Sequence, residues 1–137
     1  MCSGSLGHKM ADDFDIIIIG AGIAGTACAL RCVRAGLSVL LLERGELPGS
    51  KNLSGGRLYC HALGELLPYF QQSAPLERRI TQESLALLTV DGATTYSSLQ
   101  PSGDSWSLLR ARFDPWFVSQ AEAEGVQCIT GATVEAL

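Results

Sequence analysis

The residues of this sequence best suited to chemistry are three closely spaced glycines and one glutamate. Gly20, Gly22 and Gly25 form a G-x-G-x-x-G pattern, and Glu43 follows 18 residues after the last of them. The first glycine of such a pattern permits a tight turn, the second lets a pyrophosphate approach the backbone, and the third lets a helix pack closely on a strand. The carboxylate of Glu43 could accept hydrogen bonds from ribose hydroxyls and would repel a 2′-phosphate, which disfavours NADP. The pattern therefore predicts a dinucleotide site, for FAD or NAD, with the phosphates on the positive end of a helix.

The elements around these glycines are those that such a site requires. The β-branched run Asp15–Gly20 is typical of a strand buried on both faces, and Gly22–Ala35 has the apolar spacing of a helix that ends at Gly36. A second apolar strand, Val39–Leu42, closes on Glu43. Strand, helix and strand within about 30 residues form a βαβ unit, whose crossover is expected to be right-handed.

The rest of the chain predicts further strands and helices around an antiparallel hairpin. We expect a loop at Arg44–Gly56, a short helix at Leu58–Leu67, and two hairpin strands at Ser84–Val90 and Thr94–Leu99 that are joined at Asp91-Gly92. A third strand follows at Trp106–Leu109, then a helix at Arg112–Glu124. The chain continues with an apolar strand at Val126–Ile129 and the start of another at Thr133–Leu137. The predicted fold class is α/β, a Rossmann-like βαβ with parallel strands plus an inserted antiparallel hairpin. Because no fourth strand is found to pair with the first, we expect an incomplete doubly wound domain with one open edge.

Composition excludes several classes of protein. The chain has 137 residues, of which 47% are hydrophobic and 18% charged, and its net charge is −4 with no block of Lys or Arg. A nucleic-acid partner is therefore not expected. Five cysteines without a C-x-x-C pair indicate a reducing, cytoplasmic compartment, and Cys28 and Cys32 alone cannot complete a metal site. The longest uncharged run, Ile16–Leu30, is too short for a transmembrane segment.

Six further segments carry motifs that are more specific than the glycine turn: Glu43–Gly45, Lys51–Tyr59, Ser73–Arg78, Leu109–Trp116, Gly125–Gln127 and Gly131–Val134. Together with the turn, they make nearly everything after residue 12 resemble the FixC family of electron-transfer flavoprotein–quinone oxidoreductases, which is close to the geranylgeranyl-reductase-like flavoproteins. The resemblance implies FAD rather than NAD. It also implies that electrons enter from an electron-transfer flavoprotein and leave toward quinone or another acceptor, with a ferredoxin-like partner. The implied location is cytoplasmic, peripheral to the inner membrane in the full-length enzyme.

The resemblance also assigns cofactor-binding roles to residues of this sequence. By role, these are the pyrophosphate ligands Gly20, Gly22, Ile23, Ala24 and Gly25, the ribose ligand Glu43, the adenine-side residues Arg44 and Val134, the flavin-side loop Ser54-Gly55-Gly56 and the cofactor contact Arg110. Arg112 is the competing candidate for the last role. No catalytic residue is predicted, because no nucleophile–base pair is found and a flavin carries the redox chemistry itself.

The chain is expected to divide into a leader and one partial domain. Residues 1–12 are predicted to be a disordered leader or tag, and residues 13–137 the N-terminal part of a FAD-binding Rossmann-like domain in which a substrate-domain insertion begins near 68–109. We interpret the chain as a fragment of a longer oxidoreductase that is inactive by itself; the alternative is a complete small module that covers its open edge by dimerising. Two other functions stay open: a flavin-dependent isoprenoid reductase or aromatic hydroxylase, and a nucleotide-binding remnant without activity.

Overall fold

The structure, a computed structural model, describes residues 13–52, 55–101 and 103–136. These residues form two compact units, one made of the segments up to Pro48 and from Val118 onward, the other running from Gly49 to Phe117. The predicted leader at 1–12 and the predicted flavin-side residue Ser54 lie outside the described residues. In chain order the elements are β1 (Ile16–Ile19), α1 (Ile23–Arg34), β2 (Val39–Leu42), β3 (Gly55–Tyr59), α2 (Cys60–Leu66), β4 (Leu76–Arg79), β5 (Gln82–Leu88), β6 (Ala93–Leu99), β7 (Ser105–Leu109), α3 (Arg110–Ala123) and β8 (Gln127–Ile129).

The first unit is built on a parallel sheet in the order β1-β2-β8. Ile16 pairs with Val39, and Leu40 pairs with Gln127, so the three strands run side by side with their carboxyl ends at one edge. Helix α1 packs on β1 and β2, with Ala29 and Leu30 fully buried. The predicted βαβ unit is confirmed, and the strand order matches one half of a doubly wound sheet.

The prediction that β1 is buried on both faces is wrong. Ile17 is 59% exposed and Ile19 is 51% exposed, while Ile16 and Ile18 are half-buried. The connections from β1 to β2 and from β2 to β8 cross the sheet in the same direction. Because crossovers between parallel strands are right-handed, two crossovers in the same direction place their helices on the same face of the sheet. No helix of the described residues is expected on the other face of β1, and its isoleucines are exposed there. Among the described residues, β2 is also the only strand with which β1 pairs, so one edge of β1 is open.

The second unit contains two antiparallel sheets. One has the order β3-β7-β4, and the other is the hairpin of β5 and β6, which confirms the hairpin predicted around Asp91-Gly92. Its core is formed by side chains from α2, β7, α3 and the segment after α2: Cys60, Leu63, Leu66, Phe70, Leu108, Phe113 and Phe117. Both faces of the hairpin are almost entirely exposed.

Several predicted boundaries in and beyond this unit differ from the structure. Gly55 and Gly56 begin strand β3 and do not form a loop, because β3 pairs with β7 along its whole length. Because β3 extends to Tyr59, α2 begins at Cys60 and not at the predicted residue 58. Strand β4 was not predicted, because its charged residues suit an exposed edge that alternation does not reveal. No strand is assigned within residues 133–136.

Candidate cofactor site

The glycine turn joins β1 to α1 through a backbone conformation that favours glycine. Gly20 has φ +100°, in the left-handed region, and its N–H donates to the Leu42 carbonyl at 2.7 Å. This bond fixes the exit of β1 against the end of β2. The turn is therefore held at the carboxyl edge of the sheet, where ligands bind in open α/β folds.

Gly25 occupies the point of closest approach between the helix and the turn. A Cβ at this position would overlap the Gly20 carbonyl oxygen and lie 3.1 Å from its carbon and 3.4 Å from the Ile18 Cγ2. The overlapping atoms belong to the backbone, which cannot swing away as a side chain can. The third glycine of the pattern is thus required by packing, as the sequence predicted.

The N-terminus of α1 is open to an anion. Gly22 caps the helix in an extended conformation with no side-chain cap bond, and this described helix has no acidic residue in its first turn. The first N–H groups of an α-helix have no partner within the helix, and they lie at the positive end of its dipole. Ile23, Ala24 and Gly25 supply these groups, so the turn can accept a phosphate without competition from a side chain.

The Glu43 carboxylate ties the turn to the end of β2. Its Oε2 accepts a hydrogen bond from the Ala21 N–H at 3.0 Å, and its Oε1 accepts one from the Gly45 N–H at 2.7 Å. Each carboxylate oxygen has a second lone-pair site. Glu43 can therefore stabilise the turn and still accept hydrogen bonds from two ribose hydroxyls.

A pocket of about 360 Å³ opens beside this carboxylate. Four of its lining residues were predicted to bind the cofactor: Gly20, Glu43, Arg44 and Val134. The other three were not predicted: Ile19, Ala132 and Thr133. The segment after β8 is held there because the Ala132 N–H donates to the Glu43 carbonyl at 2.9 Å. Ile19 is the last residue of β1, and Ala132 and Thr133 follow the end of β8. Their position at the carboxyl edge of the parallel sheet could have identified all three.

The remaining predicted residues belong to the second unit. Gly55 lies opposite Leu109 in the sheet, and a Cβ on it would overlap the Leu108 carbonyl oxygen, so close strand packing requires a glycine there. Gly55 and Gly56 line an open pocket of about 640 Å³ together with Arg57, Glu77, Arg78, Ile80, Ser107, Leu108 and Leu109. The structure thus groups Gly20, Glu43, Arg44 and Val134 in one unit and Gly55, Gly56 and Arg110 in the other.

The two arginines considered for cofactor contact have different surroundings. Arg110 is bonded to the fully buried Asp114, which raises the pKa of its guanidinium above the ordinary value. Arg112 is 69% exposed and lies 3.5 Å from Glu77. Arg110 is therefore the arginine whose orientation the fold fixes.

These observations match the adenosine-diphosphate half of a dinucleotide. No side chain caps the N-terminus of α1, and an acceptor carboxylate borders a pocket at the same edge of the sheet. In the described ranges no group of three or more His, Cys, Asp and Glu side chains is arranged to hold a metal ion. No helix of the described residues is long and apolar enough to cross a membrane.

The family model of the FAD dependent oxidoreductases matches residues 15–91, which include the turn, Glu43 and strands β3 to β5. The chain belongs to this family of FAD-dependent oxidoreductases, and the prediction of FAD as the cofactor is confirmed.

Individual relatives carry the predicted family resemblance. The chain is 80% identical over 128 residues to the probable electron transfer flavoprotein-quinone oxidoreductase YgcN of Escherichia coli strain K12, a match that covers 93% of this chain and 30% of YgcN. It is 48% identical over 131 residues to the protein FixC of the same strain, covering 92% of this chain and 31% of FixC. The chain thus spans about 30% of the length of these relatives, and the resemblance to the FixC family is confirmed.

A solved structure supports the fold class. The halogenase PltM in complex with phloroglucinol and FAD matches 90% of this chain and 29% of its own chain, with a TM-score of 0.68 and 18% sequence identity. At this identity the likeness concerns the fold alone. The predicted Rossmann-like α/β class is confirmed, whereas the individual site residues stay predictions.

Proposed function

We propose that this chain forms the adenosine-diphosphate-binding part of a FAD site, in an oxidoreductase that takes electrons from an electron-transfer flavoprotein and passes them to quinone. The observation that supports the cofactor part best is the Glu43 carboxylate, which is bonded to the N–H groups of Ala21 and Gly45 at the rim of the pocket. The similarity to YgcN, a probable electron transfer flavoprotein-quinone oxidoreductase that is 80% identical over most of this chain, supports the electron donor and acceptor.

Each part of the site would perform one binding task. The N–H groups at the start of α1, from Gly22 to Gly25, would hold the pyrophosphate through charge-assisted hydrogen bonds. Glu43 would accept the ribose hydroxyls, while Arg44 and the backbone of Val134 would border the adenine. A 2′-phosphate would meet the negative charge of Glu43 and be repelled, so the site would prefer FAD to a nucleotide that carries a 2′-phosphate, such as NADP.

The chain's own residues would bind and orient the cofactor. FAD, when bound, supplies the electron storage that amino-acid side chains lack. Gly55 and Gly56 would let backbone groups of β3 approach the flavin side, and Arg110 would offer positive charge to it. Residues 13–137 would form the N-terminal part of the FAD domain, and the segment 68–109, with its β5–β6 hairpin, would begin a substrate domain.

Further partners and a location follow from the family resemblance. A ferredoxin-like protein would accompany the electron-transfer flavoprotein, and the full-length enzyme would act in the cytoplasm at the surface of the inner membrane. The resemblance supports both proposals.

Anaerobic mixing of the FAD-loaded full-length enzyme, of which this chain would be the N-terminal part, with a reduced electron-transfer flavoprotein tests the electron-transfer part of the proposal. We expect the visible flavin absorbance of the enzyme to bleach and to return on addition of a soluble quinone. An enzyme that binds FAD and is reduced by dithionite but not by the flavoprotein would refute the proposed donor. A chain that binds no FAD would refute the proposed cofactor site.

A further inference from the structure

Two cysteines are neighbours on the outer face of helix α1. Cys28 is exposed and Cys32 is half-buried, whereas Ala29 and Leu30 on the inner face of the helix are fully buried. Burial and a hydrogen bond with Cys28 raise the pKa of Cys32 above its ordinary value. Side chains four residues apart lie next to each other on a helix, with about 5–6 Å between their Cβ atoms. The fold therefore brings two thiols together at the surface of the first unit.

The spacing of these thiols suits a bridging ion better than a disulfide. The Cβ atoms of a disulfide are about 3.5–4.5 Å apart, which is closer than neighbouring side chains of a regular helix come. An ion that is bonded to both sulfurs in a line holds them about 4.6 Å apart, if each metal–sulfur bond is about 2.3 Å as for zinc. The two side chains can reach this separation while Ile23–Arg34 stays a regular helix.

The residues around the two thiols supply no further ligand. On the same face, Ala24 lies one turn before Cys28, Arg31 lies in the turn after it, and Ala35 follows Cys32. Alanine has no ligating atom, and a guanidinium stays protonated and positively charged. Over the ranges that the structure describes, no group of three or more His, Cys, Asp and Glu side chains could hold a metal ion. The pair therefore cannot complete the tetrahedral shell of zinc, as the sequence indicated, but it suits an ion that takes two ligands.

Monovalent copper has the chemistry that matches this pair. Soft thiolate sulfur selects Cu(I) over harder ions, and Cu(I), with its closed d shell, accepts two ligands in a nearly linear arrangement. Two thiolates and one Cu(I) ion together carry one negative charge. Arg31 is three residues from Cys28 on the exposed face of α1, so its positive charge lies beside the complex.

We propose that Cys28 and Cys32 form a two-coordinate binding site for Cu(I) on the outer face of α1. When the ion binds, both S–H bonds break, two S–Cu bonds form and two protons are released, while copper stays monovalent. Both ligands belong to the first unit. The site does not require FAD, so the proposed function and this site can fail independently.

Competition with the chromophoric chelator bicinchoninate, under anaerobic conditions with ascorbate, tests the proposal on the whole chain. We expect the wild-type chain to remove Cu(I) from the chelator, which is measured as a loss of visible absorbance. Loss of an outer-shell partner lowers metal affinity about 10- to 100-fold, so loss of a ligand in Cys28→Ser or Cys32→Ser should lower it at least about 100-fold. The double variant should bind Cu(I) as weakly as either single variant, because one remaining thiol cannot chelate.

Cys128→Ser is the matched control. Cys128 is a half-buried thiol of β8 in the same unit, and its loss should leave the affinity for Cu(I) unchanged. Circular dichroism would verify that each variant keeps the helix content of the wild type. Wild-type affinity for Cu(I) in a folded Cys28→Ser or Cys32→Ser variant would overturn the proposal, as would a loss in Cys128→Ser as large as theirs.

X-ray absorption at the copper edge tests the coordination without any variant. The wild-type chain loaded with one Cu(I) ion should show two sulfur neighbours, and its size in gel filtration should be the same with and without copper. A third sulfur neighbour, or a dimer that forms only with copper, would overturn the two-coordinate site, because the ion would then recruit another cysteine or bridge two chains. A wild-type chain that removes no Cu(I) from the chelator would also overturn it.

Discussion

Replacing Gly25 with alanine is expected to displace the turn that would hold the pyrophosphate. The added Cβ would overlap the Gly20 carbonyl oxygen and would lie 3.1 Å from the carbonyl carbon. Because these are backbone atoms, relief requires the start of α1 to move away from the turn. Real Cβ atoms keep at least 3.0 Å from such neighbours, so the start of α1 must move by about 1 Å to separate the new Cβ from the Gly20 carbonyl oxygen.

This movement is large compared with the tolerance of a hydrogen bond. An N–H group that lies about 2.9 Å from a phosphate oxygen loses the bond when it moves by about 1 Å. Each hydrogen bond to a charged group contributes about 1.5–3 kcal/mol. Loss of one or two such bonds, with partial relaxation, should cost about 2–4 kcal/mol, or about 30- to 700-fold in FAD affinity. The free energy of unfolding should fall by about 1–3 kcal/mol through overpacking.

Flavin fluorescence titration measures the loss of affinity, and thermal unfolding followed by circular dichroism measures the loss of stability. Gly36→Ala is the matched control. Gly36 ends the same helix with φ +85° and has no heavy atom of the described residues within 4 Å of its Cβ position. We expect the control to lose about 1 kcal/mol of stability and to bind FAD as the wild type does. A Gly25→Ala variant with wild-type affinity for FAD would refute the packing argument.

Three further predictions concern other parts of the chain. Glu43→Ala should weaken FAD binding by about 1–3 kcal/mol in a calorimetric titration, because ribose acceptors are lost; unchanged affinity would refute the ribose role. Glu124→Gln should lower the unfolding midpoint at pH 7 by an amount equivalent to about 0.2–1 kcal/mol, since the Arg34–Glu124 pair is half-exposed and screened. Arg34 lowers the pKa of Glu124 in the folded chain through their hydrogen bond. The stability difference between wild type and Glu124→Gln should therefore vanish as the pH falls from about 4.3, the pKa of a free glutamate, through the lower pKa of Glu124 in the folded chain. A stability difference that persists undiminished would contradict this stabilisation by the ion pair. Burial raises the pKa of Cys60 and of Cys128 to about 11. Iodoacetamide at pH 8 should therefore alkylate both thiols more slowly than the exposed Cys28 of α1, as mass spectrometry would show. Equal rates would contradict the burial.

The parts of the fold that the sequence predicted are those specified by local signals. The strand Val39–Leu42 has the bounds expected from its apolar run, and Asp91-Gly92 turns the predicted hairpin. Gly20 and Gly25 stand where the turn needs a left-handed residue and a close approach. Each of these features depends on residues within a few positions of one another, or on an element and the turn beside it.

The parts that could not be predicted depend on distant partners. Gly55 and Gly56 have the composition of a loop and become a strand only because β7, some fifty residues later, pairs with them. The exposed face of β1 follows from which face the helices cover, which a run of isoleucines does not reveal. Asp114 was missed as the partner of Arg110, because a helical i,i+4 pair of opposite charges is ordinarily a solvated surface pair and its full burial comes from tertiary packing.

Competition between nucleotides tests the central claim most directly. The chain would be titrated with FAD, and then ADP and FMN would be compared as competitors by flavin fluorescence and calorimetry. Because the pocket at Glu43 and the turn would bind the adenosine-diphosphate half, ADP should displace FAD, whereas FMN, which lacks that half, should not. Failure of FAD to bind, or displacement of FAD by FMN as effective as that by ADP, would contradict the account.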